Sequence, residues 1–154
     1  MADGIHDISG ASERQERTKE PILLWEIHIF LWLKASCGNM NKISFGVHLP
    51  QNVCYDEVRE FAHEAEELGY DSIWYADHLY FKGGDHLLEC WTTLAGLAAV
   101  KKRIRLGPLV TCNLFRHPSL LAKMATTVDL ISKGRLEVGI GTGWHKEECD
   151  AYGI

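Results

Sequence analysis

Asp77 and His78 stand together at the end of the apolar run Ser72-Ile-Trp-Tyr-Ala. An imidazole at a strand's end can exchange protons near neutral pH, and a neighbouring carboxylate can fix its tautomer. The plainer reading is that Asp77 caps the following loop and His78 packs. Three further groups of the same kind occur: His48 with Gln51, Val110-Thr111 with Asn113, and the turn Gly141 to Trp144. Gly139-x-Gly141-x-Gly143 is similar to a phosphate turn but lacks the G-x-G-x-x-G spacing of a dinucleotide site. Its missing side chains either let a planar ligand approach the backbone or make a tight turn. Trp144 is then a wall of that pocket or part of the core.

Other chemistries find less support. His63, His86, His117 and His145 form no H-x-H or H-E-x-x-H pattern. His145 and Glu148 are three apart, as metal ligands can be, but Lys146 and Glu147 between them suggest a surface helix start. No metal site is expected. Ser119 and Cys112 sit in no nucleophile elbow, which argues against covalent hydrolysis.

The elements that must position these groups repeat at near-constant spacing. Strand starts fall near Ile43, Ser72, Ile104 and Leu136, in steps of 29, 32 and 32 residues. A strand with its crossover helix needs about 30 residues, and such units build a parallel sheet faced by helices. Ile43, Phe45, Val47 and Leu49 alternate with polar or small residues as a strand does. Val58, Phe61, Ala62, Ala65 and Leu68 fall on one helical face, opened by Asp56-Glu57 and stopped at Gly69. A loop through Gly83-Gly84 leads to a helix with Trp91, Leu94, Ala95, Leu97 and Ala98. The third strand runs Arg103 to Val110. Pro118 suits the first turn of a third helix, whose buried stripe is Leu121, Met124, Ala125, Val128 and Ile131. The fourth strand is Leu136 to Ile140. The fold class is therefore α/β. A closed eight-stranded barrel typically takes about 250 residues, so the expectation is a partial (β/α)8 TIM barrel, its first four βα units, ending where a fifth would begin. Reactive groups in such a barrel gather at the C-terminal strand ends, where the four groups above all lie.

The chain has 154 residues, 46% of them apolar, and a net charge of -5. Lys101, Lys102, Arg103 and Arg105 form the one dense basic cluster and read as a solvated helix end, so no nucleic-acid partner is expected. Cys37, Cys54, Cys90, Cys112 and Cys149 contain no C-x-x-C pair, which fits reduced thiols in a cytoplasmic protein. Residues 1–40 read as a non-barrel extension: a polar tail, then the apolar stretch 21–35. Glu26 and Lys34 interrupt that stretch, arguing against a membrane span. A stray hydrophobic helix, an interface anchor and a mis-set start, with Met40 as the true one, stay open. The domain proper is 41–154.

From Lys42 to Ile154 the chain resembles the bacterial-luciferase-like family of flavin and deazaflavin enzymes, most closely its deazaflavin-dependent oxidoreductases. The matching stretches are Phe45-Gly-Val-His-Leu-Pro-Gln, Ala65-Glu-Glu-Leu-Gly-Tyr-Asp-Ser-Ile-Trp-Tyr-Ala-Asp-His-Leu and Arg103-Ile-Arg-Leu-Gly-Pro-Leu-Val-Thr-Cys-Asn. Arg116-His-Pro-Ser-Leu-Leu-Ala-Lys-Met-Ala-Thr-Thr-Val-Asp and Gly134-Arg-Leu-Glu-Val-Gly-Ile-Gly-Thr-Gly-Trp complete them. The resemblance implies a barrel mouth holding FMN or coenzyme F420 (8-hydroxy-5-deazaflavin), with hydride passing between the ring and an organic substrate. It makes Asp77 and His78 the catalytic pair, His78 as acid or base. Leu109-Val110 matches a third-strand bulge that in relatives often contains a non-proline cis peptide and presses on the ring. Thr111 and Asn113 match positions beside the ring or its ribityl chain, and Gly141, Gly143 and Trp144 line the same pocket. Deazaflavin is favoured by motif similarity. The family's phosphate-binding loops and later substrate segments correspond to nothing before residue 154. The alternative is a catalytically inactive fragment acting only as a binding or assembly module, pairing with another copy through open strand edges at Ile43–Leu49 and Leu136–Ile140.

Overall fold

The computed structural model describes residues 29–32, 43–82 and 87–154. The polar tail, most of the stretch 21–35 and the Gly83-Gly84 turn lie outside the described residues.

Strand-helix alternation is what the structure shows. β1 (Ile29–Trp32) and β2 (Ser44–His48) precede α1 (Tyr55–Glu67), followed by β3 (Ser72–Tyr75), α2 (Cys90–Val100) and β4 (Arg105–Pro108). After β5 (Thr111–Cys112) come α3 (Pro118–Ser132), β6 (Ile140–Gly141) and α4 (Lys146–Tyr152). One sheet has the order β1-β2-β3-β4. β2, β3 and β4 are parallel, with Val47 opposite Ile73 and Ile73 opposite Leu106. A second sheet pairs β5 with β6, also parallel.

Of the apolar stretch 21–35, for which a stray helix, an interface anchor and a mis-set start stood open, residues 29–32 form a strand of the sheet. Ile29–Trp32 lies antiparallel on β2, Ile29 opposite Val47 and Trp32 opposite Ser44. Ile, Phe, Leu and Trp suit a pleated surface, and the added strand covers the β2 edge expected to be open.

The third strand, expected as one run to Val110, is split. β4 ends at Pro108, the Leu109–Val110 peptide is cis, and pairing resumes at Thr111. The fourth follows the same line in pieces. Leu106 donates to the Arg135 carbonyl and accepts from Glu137 N–H, Thr111 N–H reaches the Gly139 carbonyl, and Asn113 N–H reaches Gly141. The chain from 135 to 141 thus runs beside 106 to 113 and copies its interruption.

Local chemistry explains the helix ends. Glu57 reaches back to the Cys54 N–H at 3.0 Å, closing the first turn of α1. Gly69, at φ +84, takes the left-handed step that lets Tyr70 N–H return to the Ala65 carbonyl. Glu89 caps α2 through the Trp91 and Thr92 amides. Pro118 opens α3 as expected.

The core lies between the sheet and α1–α2: Val47, Ile73, Tyr75, Leu94, Leu97 and Leu106 belong to one buried cluster, with Val128 brought in from α3. Two expectations change here. Ile131 is exposed, and Ser132 takes the buried place beside it, accepting from Arg135 N–H. The basic cluster is not simply solvated: Lys101 is only 7% exposed, and Arg105 pairs with Glu137. Glu66 accepts the backbone amides of Lys102, Arg103 and Ile104, tying the end of α1 to the entry of β4. Arg135, unremarked in the sequence, donates to the carbonyls of Ala98, Lys101 and Ile104. It satisfies the C-terminal end of α2, where a cation is favoured.

Candidate active site

The C-terminal ends of the strands open on a cleft of about 170 Å³. Asp77, His78, Leu109, Val110, Gly141 and Trp144 are among its lining, together with His145 and Glu148. Pockets enclosing a whole drug-sized ligand run to about 300–1,000 Å³, so this one is too small to enclose such a ligand entirely.

His78 follows β3, and its Nδ1 lies 3.1 Å from Glu148 Oε2. Glu148, near the start of α4, is only 1% exposed. Its other oxygen accepts the amides of Leu79 and Tyr80. Burial works to raise the Glu148 pKa, but the His78 hydrogen bond and the two amides outweigh it and hold the carboxyl below its ordinary range. The carboxylate that orients His78 is therefore Glu148. A charged Oε2 favours a proton on Nδ1 and leaves Nε2 as the acceptor nitrogen of the ring.

Asp77 does something else. Its oxygens take both ends of the Arg116 guanidinium, at 2.5 and 2.8 Å, and accept Cys112 N–H at 3.0 Å and the Thr111 hydroxyl at 3.3 Å. Arg116 also donates to Glu89, the cap of α2, and Trp91 Nε1–H donates to Thr111 Oγ1 at 2.6 Å. This closed buried network locks β5 against β3 and α2. It fixes the main chain just after the cis Leu109–Val110 bond. Asp77 holds the backbone; it does not orient His78.

The remaining expected residues divide. Val110, 42% exposed, presents its side chain to the cleft. Thr111 lines the cleft but is wholly buried, its hydroxyl already shared between Trp91 and Asp77. Asn113 is exposed and outside the cleft lining; its N–H serves the Gly141 carbonyl. Gly141 and Gly139 have a more specific reason to be bare than either sequence reading. A Cβ at 141 would fall 2.7 Å from Val110 Cγ2, and one at 139 would fall 2.8 Å from Val110 Cγ1. Their absence admits Val110. Gly143, at φ +82, makes the turn, and Trp144 is 75% exposed on the rim, a wall and not core. His48 and Gln51 stay apart from this lining; Gln51 bonds the Ala76 carbonyl at 2.9 Å.

Sequence reasoning missed Glu148 as the partner of His78, and Arg116 with Glu89. It saw the His145-x-x-Glu148 spacing but placed it on an open surface. Around His78 the rings of Phe81, Trp144 and His145 lie at centroid distances of 4.5, 6.0 and 6.3 Å. His145 Nδ1 is buried without a hydrogen-bond partner.

These features fit a planar cofactor: an apolar floor at Val110, an exposed aromatic wall at Trp144, an oriented imidazole and an unsatisfied ring nitrogen. Among the described residues no helix is long and apolar enough to cross a membrane.

Comparison with known proteins agrees with that chemistry. The pyrimidine monooxygenase RutA of Shigella flexneri is 36% identical over 141 residues, covering 88% of this chain and 35% of the relative. The chain thus spans about a third of the length of the curated relatives it matches. Among solved structures, the coenzyme F420-dependent tetrahydromethanopterin reductase of Methanopyrus kandleri superposes with a TM-score of 0.63 at 30% identity, over 72% of this chain and 30% of that one. The oxygenating constituent of 3,6-diketocamphane monooxygenase from Pseudomonas putida, in complex with FMN, gives 0.59 at 26% identity, over 65% and 27%. The family described as luciferase-like monooxygenase matches residues 37–154, and the chain belongs to it.

Proposed function

We propose that this chain carries the cofactor face and the proton-handling pair of a flavin-type oxidoreductase built on the first βα units of a (β/α)8 barrel. The observation that carries the reading is the His78–Glu148 pair, held beside the exposed Val110 at the strand ends. Reactive groups on parallel barrels gather at that end. A bound flavin or deazaflavin supplies hydride transfer, and a reduced flavin also supplies oxygen activation.

The protein's share is positional. Val110 and the Leu109 main chain would give a bound ring its floor, and Trp144 its side. Phe81 and Trp144 flank His78 and limit water at its ring. Glu148 holds His78 in the orientation from which Nε2 gives or takes a proton at the substrate. Asp77 and Arg116 act at one remove by fixing the strand that carries Val110.

Monooxygenation is favoured by the likeness to pyrimidine monooxygenases, and FMN by the likeness to the diketocamphane monooxygenase structure in complex with FMN. F420 with simple hydride transfer is favoured by the likeness to the archaeal reductase. Parallel titrations of FMN and F420 fluorescence with the chain separate the two, since the true cofactor is the one whose emission changes saturably. If neither changes, the proposal fails. His78→Ala should lower kcat by about 10²–10⁴-fold with little change in cofactor affinity. Equal losses in both would make His78 structural.

A further inference from the structure

Two imidazoles and a carboxylate converge in the cleft, His78 from beyond β3 and His145 with Glu148 from the start of α4. One ligand atom each from His78, His145 and Glu148 can be chosen so that all lie within 4.8 Å of one another. Glu148 Oε2 is 3.1 Å from His78 Nδ1 and 3.7 Å from His145 Nδ1. Ligands bound at about 2.0–2.2 Å around a tetrahedral zinc stand roughly 3.3–3.5 Å apart, so both spacings bracket what a shared ion requires.

We infer that His78, His145 and Glu148 form a binding site for a divalent transition metal of the zinc, cobalt or nickel type. Three observations carry this beyond the spacing. His145 Nδ1 is buried with no hydrogen-bond partner, and 3.7 Å is too long for a hydrogen bond to Glu148. An ion between them satisfies that nitrogen. Both supporting shells are already built: Glu148 Oε1 is fixed by the Leu79 and Tyr80 amides, and the His145 ring stacks on Phe81 at 5.1 Å and 22°. The third is the donor set, two imidazole nitrogens and one carboxylate oxygen. It suits zinc, cobalt and nickel, whereas magnesium and calcium prefer oxygen alone. Three protein ligands leave a fourth position open.

The site goes beyond the oxidoreductase reading and does not depend on it. Where both hold, an ion on His78 Nδ1 keeps the ring proton on Nε2, which can then accept no further proton, so the metal acts as an inhibitor.

The test is a titration of the metal-free chain with Co²⁺, followed by visible absorption and by equilibrium dialysis, with Zn²⁺ as competitor. One cobalt per chain is expected, with d–d bands that zinc abolishes. His145→Phe keeps the stack on Phe81 and removes a ligand. It should weaken cobalt by more than the roughly 100-fold that even a supporting residue can cost, while the circular dichroism spectrum stays unchanged. A second variant, His78→Gln, should do the same. No cobalt spectrum at millimolar metal, or undiminished binding in both variants, overturns the inference. Neither result touches the cofactor titration, which is run in chelator.

Discussion

Removing the Arg116 guanidinium tests whether the Asp77 network fixes the strand beneath the cleft. The Arg116 side chain is 8% exposed and that of Asp77 is fully buried. Arg116→Met keeps most of the stem's volume and leaves Asp77 with only the Cys112 amide and the Thr111 hydroxyl. Breaking a buried pair from one side typically costs about 3–5 kcal/mol, because an uncompensated charge stays behind. For a chain of this length that corresponds to a fall in Tm of roughly 6–20 °C. Urea unfolding followed by tryptophan fluorescence gives the free energy directly. Arg116→Lys should fall between the two, since an ammonium keeps the charge and loses the two-pronged contact. Adding Asp77→Asn to Arg116→Met should recover part of the loss, because both charges are then gone. A loss below about 1 kcal/mol for Arg116→Met, the range of an exposed pair, would refute the reasoning.

Other outcomes follow from single contacts. Gly141→Ala should cost about 1–3 kcal/mol through overpacking against Val110, and Val110→Ala should relieve it in the double variant, as denaturant midpoints will show. Glu66, despite burial working to raise it, is held below its ordinary 4.5 by the amides of Ile104, Arg103 and Lys102 and by Lys101. A depressed carboxyl stabilises the fold above its unfolded pKa, and that contribution disappears as pH falls through the lower folded value. Wild-type Tm should therefore drop more steeply than that of Glu66→Gln below about pH 4.5; parallel acid profiles would contradict this.

Much of the fold was legible because the evidence for it is local. The alternation at Phe45 to Leu49, the 3.6-residue stripe from Val58 to Ala65 and the Gly69 stop each reflect short-range geometry. The segment 29–32 was misread because Ile-Phe-Leu-Trp satisfies a buried helix and a strand alike. Only its pairing with Ser44–His48 decides between them. His78 could be found by its place at a strand end. Its partner could not, because Glu148 is 70 residues away and resembles any acidic residue in a first helical turn. Asp77 misled by adjacency: successive residues beyond a strand point different ways, so the neighbour in sequence turned to Arg116 and Thr111. The glycines of 139–143 were read as admitting a planar ligand to the backbone or as a tight turn. That the approaching group is Val110 required coordinates.

The account rests on a flat cofactor lying against Leu109–Val110 beside the His78–Glu148 pair. A crystal structure with FMN or F420 bound tests it most directly. The ring should lie on Val110 with His78 Nε2 within hydrogen-bond reach, about 2.6–3.2 Å, of the cofactor or a substrate atom upon it. A ring seated instead at the opposite end of the strands, in the cleft between Ser44, Asp71 and Arg105, would contradict it.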